Sequence, residues 1–256
     1  MNELSGFLAI WYREFKVFLR EKSRIVSSLV TPVLWLLIFG GGLGSSVAVS
    51  GTSYQVFIFP GILAQAVLFS SIFFGVYIVW DRKIDFLKEV LVAPISRTTI
   101  FLGKVVGGAT DSIIQSILLL ILGVIFGAIG LIPGLHINFT AFILSLVIIL
   151  FTTASFTSLG LIIGSMMESP EGFQFVMSFL LLPVFLLSGA LFPINNLPVW
   201  LAPFTFINPL TYAVDALRHV ILGASQFGLA FDMGILVLFM VLVFAIGTYA
   251  FEKMKV

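Results

Sequence analysis

Long uncharged runs alternate with short charged segments along this chain. No Asp, Glu, Lys or Arg occurs from Ile25 to Trp80, Ser112 to Met167, Gly172 to Val214 or Met233 to Phe251, gaps of 56, 56, 43 and 19 residues. A membrane-crossing helix needs about 20 apolar residues. The first two gaps therefore each hold two spans, the third holds one plus an uncharged remainder, and the last holds one. The pattern predicts six spans, at about 25–43, 56–80, 99–126, 139–166, 173–191 and 229–251. The runs are continuous rather than alternating residue by residue, which argues against a β-barrel. The expected fold is an all-α polytopic membrane protein, with one transmembrane domain over 25–251 between an N-terminal segment, 1–24, and a tail, 252–256.

Between the spans the pattern changes character. Over residues 2–24, Leu4, Phe7, Leu8, Trp11, Phe15, Phe18 and Leu19 recur at helical spacing, while Arg13, Lys16, Arg20 and Arg24 follow another stripe. An aromatic-rich face opposite a basic one predicts an amphipathic helix lying in the membrane interface. Asp81 to Lys104 is the most charged segment and is expected to lie in water. Within it, Ile84, Leu87, Val90 and Leu91 make an apolar stripe, and Arg82, Asp85, Lys88 and Glu89 lie away from it. This predicts a short amphipathic helix over about 82–93, ended by Pro94, with Ser96 capping the third span. The first span ends at Gly40–Gly44 and an uncharged loop, about 45–53, follows it. Gly160 and Gly164 in the fourth span have the small-residue spacing suited to close helix packing. Glu168-Ser-Pro-Glu171 reads as a tight polar turn. The segment 193–226 carries Pro193, Pro198, Pro203 and Pro209, too many for a span, yet stays mostly apolar. Irregular backbone at membrane depth needs protein or a water-filled cavity around it, so short broken helices re-entering one membrane half are expected there.

Composition agrees: 60% of residues are hydrophobic and 10% charged, against about 25% charged in soluble domains, and the mean hydropathy is +1.18. Of 13 Lys and Arg, five precede the first span, five lie in Asp81–Lys104 and two in the tail, leaving only Arg218 for the opposite side. The positive-inside rule then places both termini in the cytoplasm of a prokaryotic cell membrane. The opening residues lack the layout of a cleavable signal peptide, since no basic region precedes an apolar one. Without cysteine, disulfides and thiol chemistry are excluded.

The residue types of catalysis are missing from plausible arrangements. His136 and His219 have no metal-ligand spacing, so no metal site is expected, and no G-x-S-x-G or phosphate-binding G-x-x-x-x-G-K-[ST] occurs. An enzyme is not expected, nor a nucleic-acid partner. Asp111 is the one acid well inside an apolar run, with Ser112 and Gln115 near it; an ionisable group there suggests function. It is expected about two turns from the start of its helix, within reach of water or Lys104. Phe69, Phe73, Phe74 and Phe179 offer apolar surface for a pathway, and each one can equally face lipid.

Three blocks carry a family resemblance: FLKEVLVAPISRTTIFLGK over Phe86–Lys104, LLPVFLLSGALFP over Leu181–Pro193 followed by LPVWL from Leu197, and INPLTYAVDALR over Ile207–Arg218. With six spans and an interfacial N-terminal helix, the chain resembles the permease subunit of type 2 ABC exporters, the group with daunorubicin-resistance and nodulation-factor export permeases. The resemblance implies a dimer of permeases, identical copies by expectation, bound to two ABC ATPase subunits that carry ATP and Mg. It implies a coupling helix at Arg82, Asp85, Leu87, Lys88 and Glu89, with Pro94, Ser96 and Arg97 turning the chain into the third span. The Glu168 and Glu171 turn becomes a second ATPase contact, and the N-terminal helix lies against the ATPase and braces the first span. Pro193, Pro198, Asp215 and Arg218 belong to an outer gate, where Asp215 and Arg218 could pair. Gly40, Gly44 and the fifth span are the implied dimer contact, and Phe69, Phe73, Phe179 and Asp111 the possible pathway. The expected function is ATP-driven export of an amphipathic drug or a lipid- or glycan-linked substrate. The alternative is an ion-coupled secondary carrier using Asp111; a membrane scaffold without transport is a third reading.

Overall fold

A computed structural model describes residues 2–44, 48–49 and 52–254. Among the described residues the regular elements are helices apart from one small hairpin. Helix α1 is Glu3–Arg20 and α2 is Lys22–Gly44; β1 (Ala48–Val49) pairs antiparallel with β2 (Thr52–Ser53). There follow α3 (Tyr54–Phe73), α4 (Val76–Lys83), α5 (Phe86–Val92), α6 (Arg97–Ala128), α7 (Phe139–Met166) and α8 (Pro170–Leu186). A 3₁₀ turn at Ile194–Asn196, α9 (Ala202–Ile207), α10 (Pro209–Leu222) and α11 (Leu229–Glu252) complete the order. Part of the expected 45–53 loop and the last two residues of the tail lie outside the described residues.

Five helical stretches among the described residues are long and apolar enough to cross a membrane: Ile25–Gly42 within α2, Tyr54–Lys83 across α3 and α4, α6, α7 and α11. The expected span at 173–191 is the exception. Helix α8 starts at Pro170, where Ser169 accepts the Gly172 N–H at 3.0 Å as N-cap, and stops at Leu186 after 17 residues, the short limit for crossing. It ends just before Gly189, whose φ of +74° is left-handed backbone that glycine adopts without strain. The resulting bundle is centred on α3, the most buried span, while α2 and α11 lie at its edges.

The α3–α4 stretch is bent rather than straight. At the bend Gly75 donates its N–H to Ile72 O at 3.0 Å, a tightened turn. Helix α7 is pressed against this bend backbone to backbone. A Cβ on Gly75 would stand 2.0 Å from Gly160 O, one on Gly160 2.3 Å from Ile72 O, and one on Gly164 2.2 Å from Gly75 O. The small-residue spacing of α7 therefore has a defined partner within the chain. Replacement of Gly160 by Ala is expected to cost about 1–3 kcal/mol through overpacking, seen as a lower unfolding midpoint in detergent. Gly42→Ala, at a position with nothing within 4 Å, is expected to leave the midpoint unchanged or slightly raised.

Candidate functional site at the charged end of the bundle

The charged segments of α1, α4, α5, α6, α7 and α11 meet at one end of the bundle, and their contacts depart from the expectation of a wet stretch. Asp81 at the end of α4 and Lys104 in α6 are 3% and 1% exposed. Lys104 Nζ lies 2.6 Å from Asp81 Oδ2 and 3.0 Å from Glu14 Oε1 of α1, itself 2% exposed. Arg13 completes the group, with Nη2 2.7 Å from Asp81 Oδ1 and Nη1 2.7 Å from Glu14 Oε1. Two cations and two anions thus form a neutral quartet joining three helices, with Glu14, Asp81 and Lys104 buried and the Arg13 side chain 33% exposed at its edge. Burial alone would lower the Arg13 pKa, but the hydrogen bond that Arg13 donates to Asp81 and the charges of Glu14 and Asp81 outweigh it and hold the value above the ordinary one. The Arg13 guanidinium also sits 4.0 Å above the Phe86 ring, which brings α5 into the cluster.

Gly107 makes the quartet possible. A Cβ there would lie 2.7 Å from Glu14 Cβ, so only a glycine lets α1 approach α6 closely enough for Glu14 to reach Lys104. Helix α1 accordingly packs chiefly on α6, the third span, rather than bracing the first as expected. Its buried stripe is Gly6, Glu14 and Phe18, whereas Leu4, Leu8 and Leu19 of the expected apolar face are exposed. Lys104 is committed to this quartet and is not the partner of Asp111. Asp111 lies 14 residues beyond the start of α6 at Arg97, roughly 21 Å along the helix, deeper than the expected two turns.

The expected helix over 82–93 is broken. Helix α4 runs on through Lys83, Asp85 takes a left-handed φ of 59°, and α5 begins only at Phe86. Asp is among the few non-glycine residues that tolerate this conformation. Pro94 does end the helix, since the residue before a proline is pushed to extended backbone and Ala93 has ψ 144°. Ser96 caps α6 by accepting the Thr99 N–H at 3.1 Å. Glu3 of α1 adds a second cap: its carboxylate accepts the Ser96 N–H at 3.0 Å and also the hydroxyls of Ser96 and Thr99. The Thr99 hydroxyl above all, then the Ser96 N–H, holds the Glu3 carboxyl below the ordinary carboxylate value.

Two of the expected docking arginines are turned inward. Arg82 donates to Ser165 O at 2.7 Å and Met167 O at 2.8 Å at the C-terminus of α7. Arg97 donates to Glu252 O at 2.9 Å and to Met254 O at the end of α11. Each satisfies carbonyls that a helix end leaves unpaired and complements its dipole. Leu87 is also buried, at 3%. What remains exposed on this face is Asp85, ion-paired with Lys88 at 2.7 Å, Glu89, Glu168 and Glu171, and two apolar side chains, Ile84 at 64% and Val92 at 81%. Because Arg82 reaches the turn before Glu168, the α5 segment and the Glu168–Glu171 turn share one surface.

The opposite end is polar for another reason. Asp215 and Arg218 line one cavity with Pro193 but form no ion pair among the described residues. Asp215 accepts the N–H groups of Gln226 (2.8 Å) and Phe227 (2.9 Å), and Arg218 donates to Gly189 O at 2.9 Å above the Phe57 ring. Each therefore pins a loop instead of its neighbour; Pro198 is exposed. Gly40 is covered within the chain by Gln55, 2.4 Å from where a Cβ would stand, which argues against its offering a face to a second copy; Gly44 ends α2, with its packing outside the described residues. Among the expected pathway residues, Phe69 and Phe73 line a common cavity. Phe179 is 69% exposed on α8 and Asp111 is 2% exposed in α6. The sequence reading missed Glu14 and Arg13 as structural partners, and Gln65 altogether; Glu14, at helical spacing from Gly6, Ile10 and Phe18, was the visible signal.

Comparison with known proteins decides the family. The model of the ABC-2 type transporter family matches residues 5–222. The chain belongs to that family. It is 26% identical over 247 residues to nodulation protein J of Rhizobium leguminosarum bv. viciae, covering 95% of this chain and 92% of that protein. It is 29% identical over 241 residues to the inner membrane transport permease YadH of Escherichia coli K12, covering 91% and 89%. This ABC-2 protein is thus an integral membrane transport permease, the permease subunit of an ABC transporter and a partner of ABC ATPase subunits.

Removing one member of the quartet leaves an uncompensated buried charge. Asp81→Ala is expected to destabilise the ABC-2 protein by about 3–5 kcal/mol. The double change Lys104→Met with Glu14→Gln, which leaves Arg13 paired to Asp81, is expected to cost less than either single change in a double-mutant cycle. The Glu3 contribution has a defined pH sign. A carboxyl lowered on folding stabilises above its unfolded value, and that stabilisation is lost as pH falls through the lowered folded value. Glu3→Gln is expected to remove this component, so that thermal stability of the variant falls less than wild type as pH is lowered from neutral through 4.5 and below.

Proposed function

We propose that the chain is the permease of an ATP-driven exporter in a prokaryotic cell membrane, with both termini and the charged end of the bundle in the cytoplasm. Six crossings fit this reading, α8 being the short one. The observation that carries it is the exposure of apolar Ile84 and Val92 beside the acids Asp85 and Glu89 on the α4–α5 segment, whose α4 end is held to the third span by the quartet and whose Phe86 lies under Arg13. An apolar patch in a charged, water-facing segment fits a protein partner better than lipid.

Two ATPase subunits bind this face and supply ATP and Mg; the permease pairs with a second copy of itself. The contact surface is Ile84, Asp85, Lys88, Glu89 and Val92 together with Glu168 and Glu171. Leu87, Arg82 and Arg97 act behind it, because they hold α5, the α7 end and the α11 end together. Closure of the ATPase pair displaces α5, and the quartet passes this to α6 and α1. The Pro193–Gln226 segment, pinned by Asp215 and Arg218, forms the outer gate of the pathway. The substrate is an amphipathic or lipid- or glycan-linked molecule. The ion-coupled alternative rests on Asp111 alone, and membership of the ABC-2 family gives it no support.

Docking is tested at exposed positions, since Leu87→Asp would damage the core. Val92→Asp and Glu89→Arg are expected to reduce co-purification with the cognate ATPase at least several-fold while leaving the unfolding midpoint near wild type. Retention of the ATPase and of its stimulated activity in both variants would sink the docking reading.

A further inference from the structure

A cavity of about 580 Å³ opens where α7 and α11 end, lined by Arg82, Ser165, Met166, Glu168, Tyr249 and Lys253 with two neighbours. Its walls carry both signs of charge. Lys253, the residue after α11, is exposed and its ammonium stands 4.3 Å above the Tyr249 ring. Glu168, just beyond the end of α7, is exposed as well. Among the described residues neither forms an ion pair, with the other or with a third group. Arg82 is committed to Ser165 O and Met167 O. The carbonyl ends of α7 and α11 carry the negative end of their dipoles and favour a cation nearby. A simple anion at this cavity meets Glu168, and a simple cation meets Lys253. A ligand with one charge of each sign matches both.

An apolar track leads away from the same cavity. Tyr249 lines the cavity and also ends a stripe on α11 made by Leu238, Leu242, Ile246 and Tyr249, each more than half exposed. Spacings of three and four residues put them on one helix face, and α11, with α2, is the least buried of the long apolar helices. From Leu238 to Tyr249 the stripe rises roughly 16 Å, about half of a hydrocarbon layer of about 30 Å. That is the depth of one leaflet, the reach of an acyl chain hanging from a head group at the cavity. Tyrosine at head-group level with a lysine extending past it is the common arrangement at a membrane surface.

We propose that the cavity between the ends of α7 and α11 binds the head group of a cytoplasmic-leaflet phospholipid that carries a primary amine, a phosphoethanolamine head. Lys253 takes the phosphate, Glu168 takes the ammonium, and one acyl chain lies along the α11 stripe. A trimethylated amine has the charge but no N–H to donate to Glu168, and a glycerol head has no positive charge at all. The proposal rests on the reading above that places this end of the bundle in the cytoplasm, and adds a lipid partner to it.

Glu168 also belongs to the proposed ATPase surface, so lipid binding is read on the purified full-length permease without ATPase. The chain is equilibrated with equal amounts of three phospholipids that share acyl chains and differ in the head: phosphoethanolamine, phosphocholine and phosphoglycerol. Native mass spectrometry then counts what each oligomeric form retains. Wild type is expected to retain the phosphoethanolamine lipid several-fold over the other two. Lys253→Gln and Glu168→Gln, both at exposed positions, are each expected to lower that retention about threefold to fivefold, the effect of one exposed ion pair, with the unfolding midpoint unchanged. Glu168→Gln should also abolish the preference over phosphocholine. Lys22→Gln, which removes an exposed cation at the start of α2, should alter nothing. The site is overturned if the phosphoglycerol lipid binds best, if the phosphoethanolamine and phosphocholine lipids bind wild type alike, or if Lys22→Gln acts as strongly as Lys253→Gln. Retention by the monomer alone would also overturn it, giving the groove to a second copy. Failure here is separate from failure of docking, which is read in Val92→Asp with the ATPase present.

Discussion

A largely buried ion quartet at one end of the bundle is the interaction on which the rest of the molecule depends. Taking a single charged group out of water costs several kcal/mol even after relaxation. Arg13, Glu14, Asp81 and Lys104 meet that cost only together, because their charges cancel and their contacts lie between 2.6 and 3.0 Å. Helices α1, α4 and α6 are therefore fixed relative to one another by an arrangement with little tolerance for partial loosening. The guanidinium over Phe86 ties α5 to the same cluster.

The remaining contacts at this end of the bundle work by a different principle. Arg82 and Arg97 each reach across to the C-terminal carbonyls of another helix, α7 and α11. Helix ends in a membrane protein otherwise depend on water for these groups, and a charged donor also complements the negative end of the dipole. Glu3 does the converse at the N-terminus of α6. Three helix ends are thus fastened by side chains from elsewhere in the sequence. At the far end, Asp215 and Arg218 fasten loops in the same way, through backbone N–H and C=O groups.

Between these two fastened ends the interior is poor in chemistry and tightly packed. Helix α7 meets the α3–α4 bend with backbone touching backbone. Against this background a few buried polar atoms, Gln65 Oε1 and Gln115 Nε2 among them, are left without a hydrogen bond among the described residues.

Hydropathy and charge spacing were sufficient for the helical class, for the long apolar helices α2, α3 to α4, α6, α7 and α11, for the Pro94 stop and Ser96 cap, and for family resemblance. These are local or compositional properties: solvent preference is summed along a run, and caps act within a few residues. Partner choice across the bundle is not local. Asp81 and Lys104 read as water-facing because their counter-charges come from α1, far away in sequence. Asp215 and Arg218 read as a pair because they are three residues apart, yet backbone groups of two loops lie nearer to each. The break at Asp85, a left-handed φ of 59°, interrupts an apolar stripe that is continuous in the sequence, and α8 ends early, just before the turn at Gly189. That Gln65 Oε1 and Gln115 Nε2 are buried without a partner is likewise a tertiary fact. A glutamine in an apolar run is visible in the sequence, but whether its amide finds a partner is decided only by the helices that pack around it.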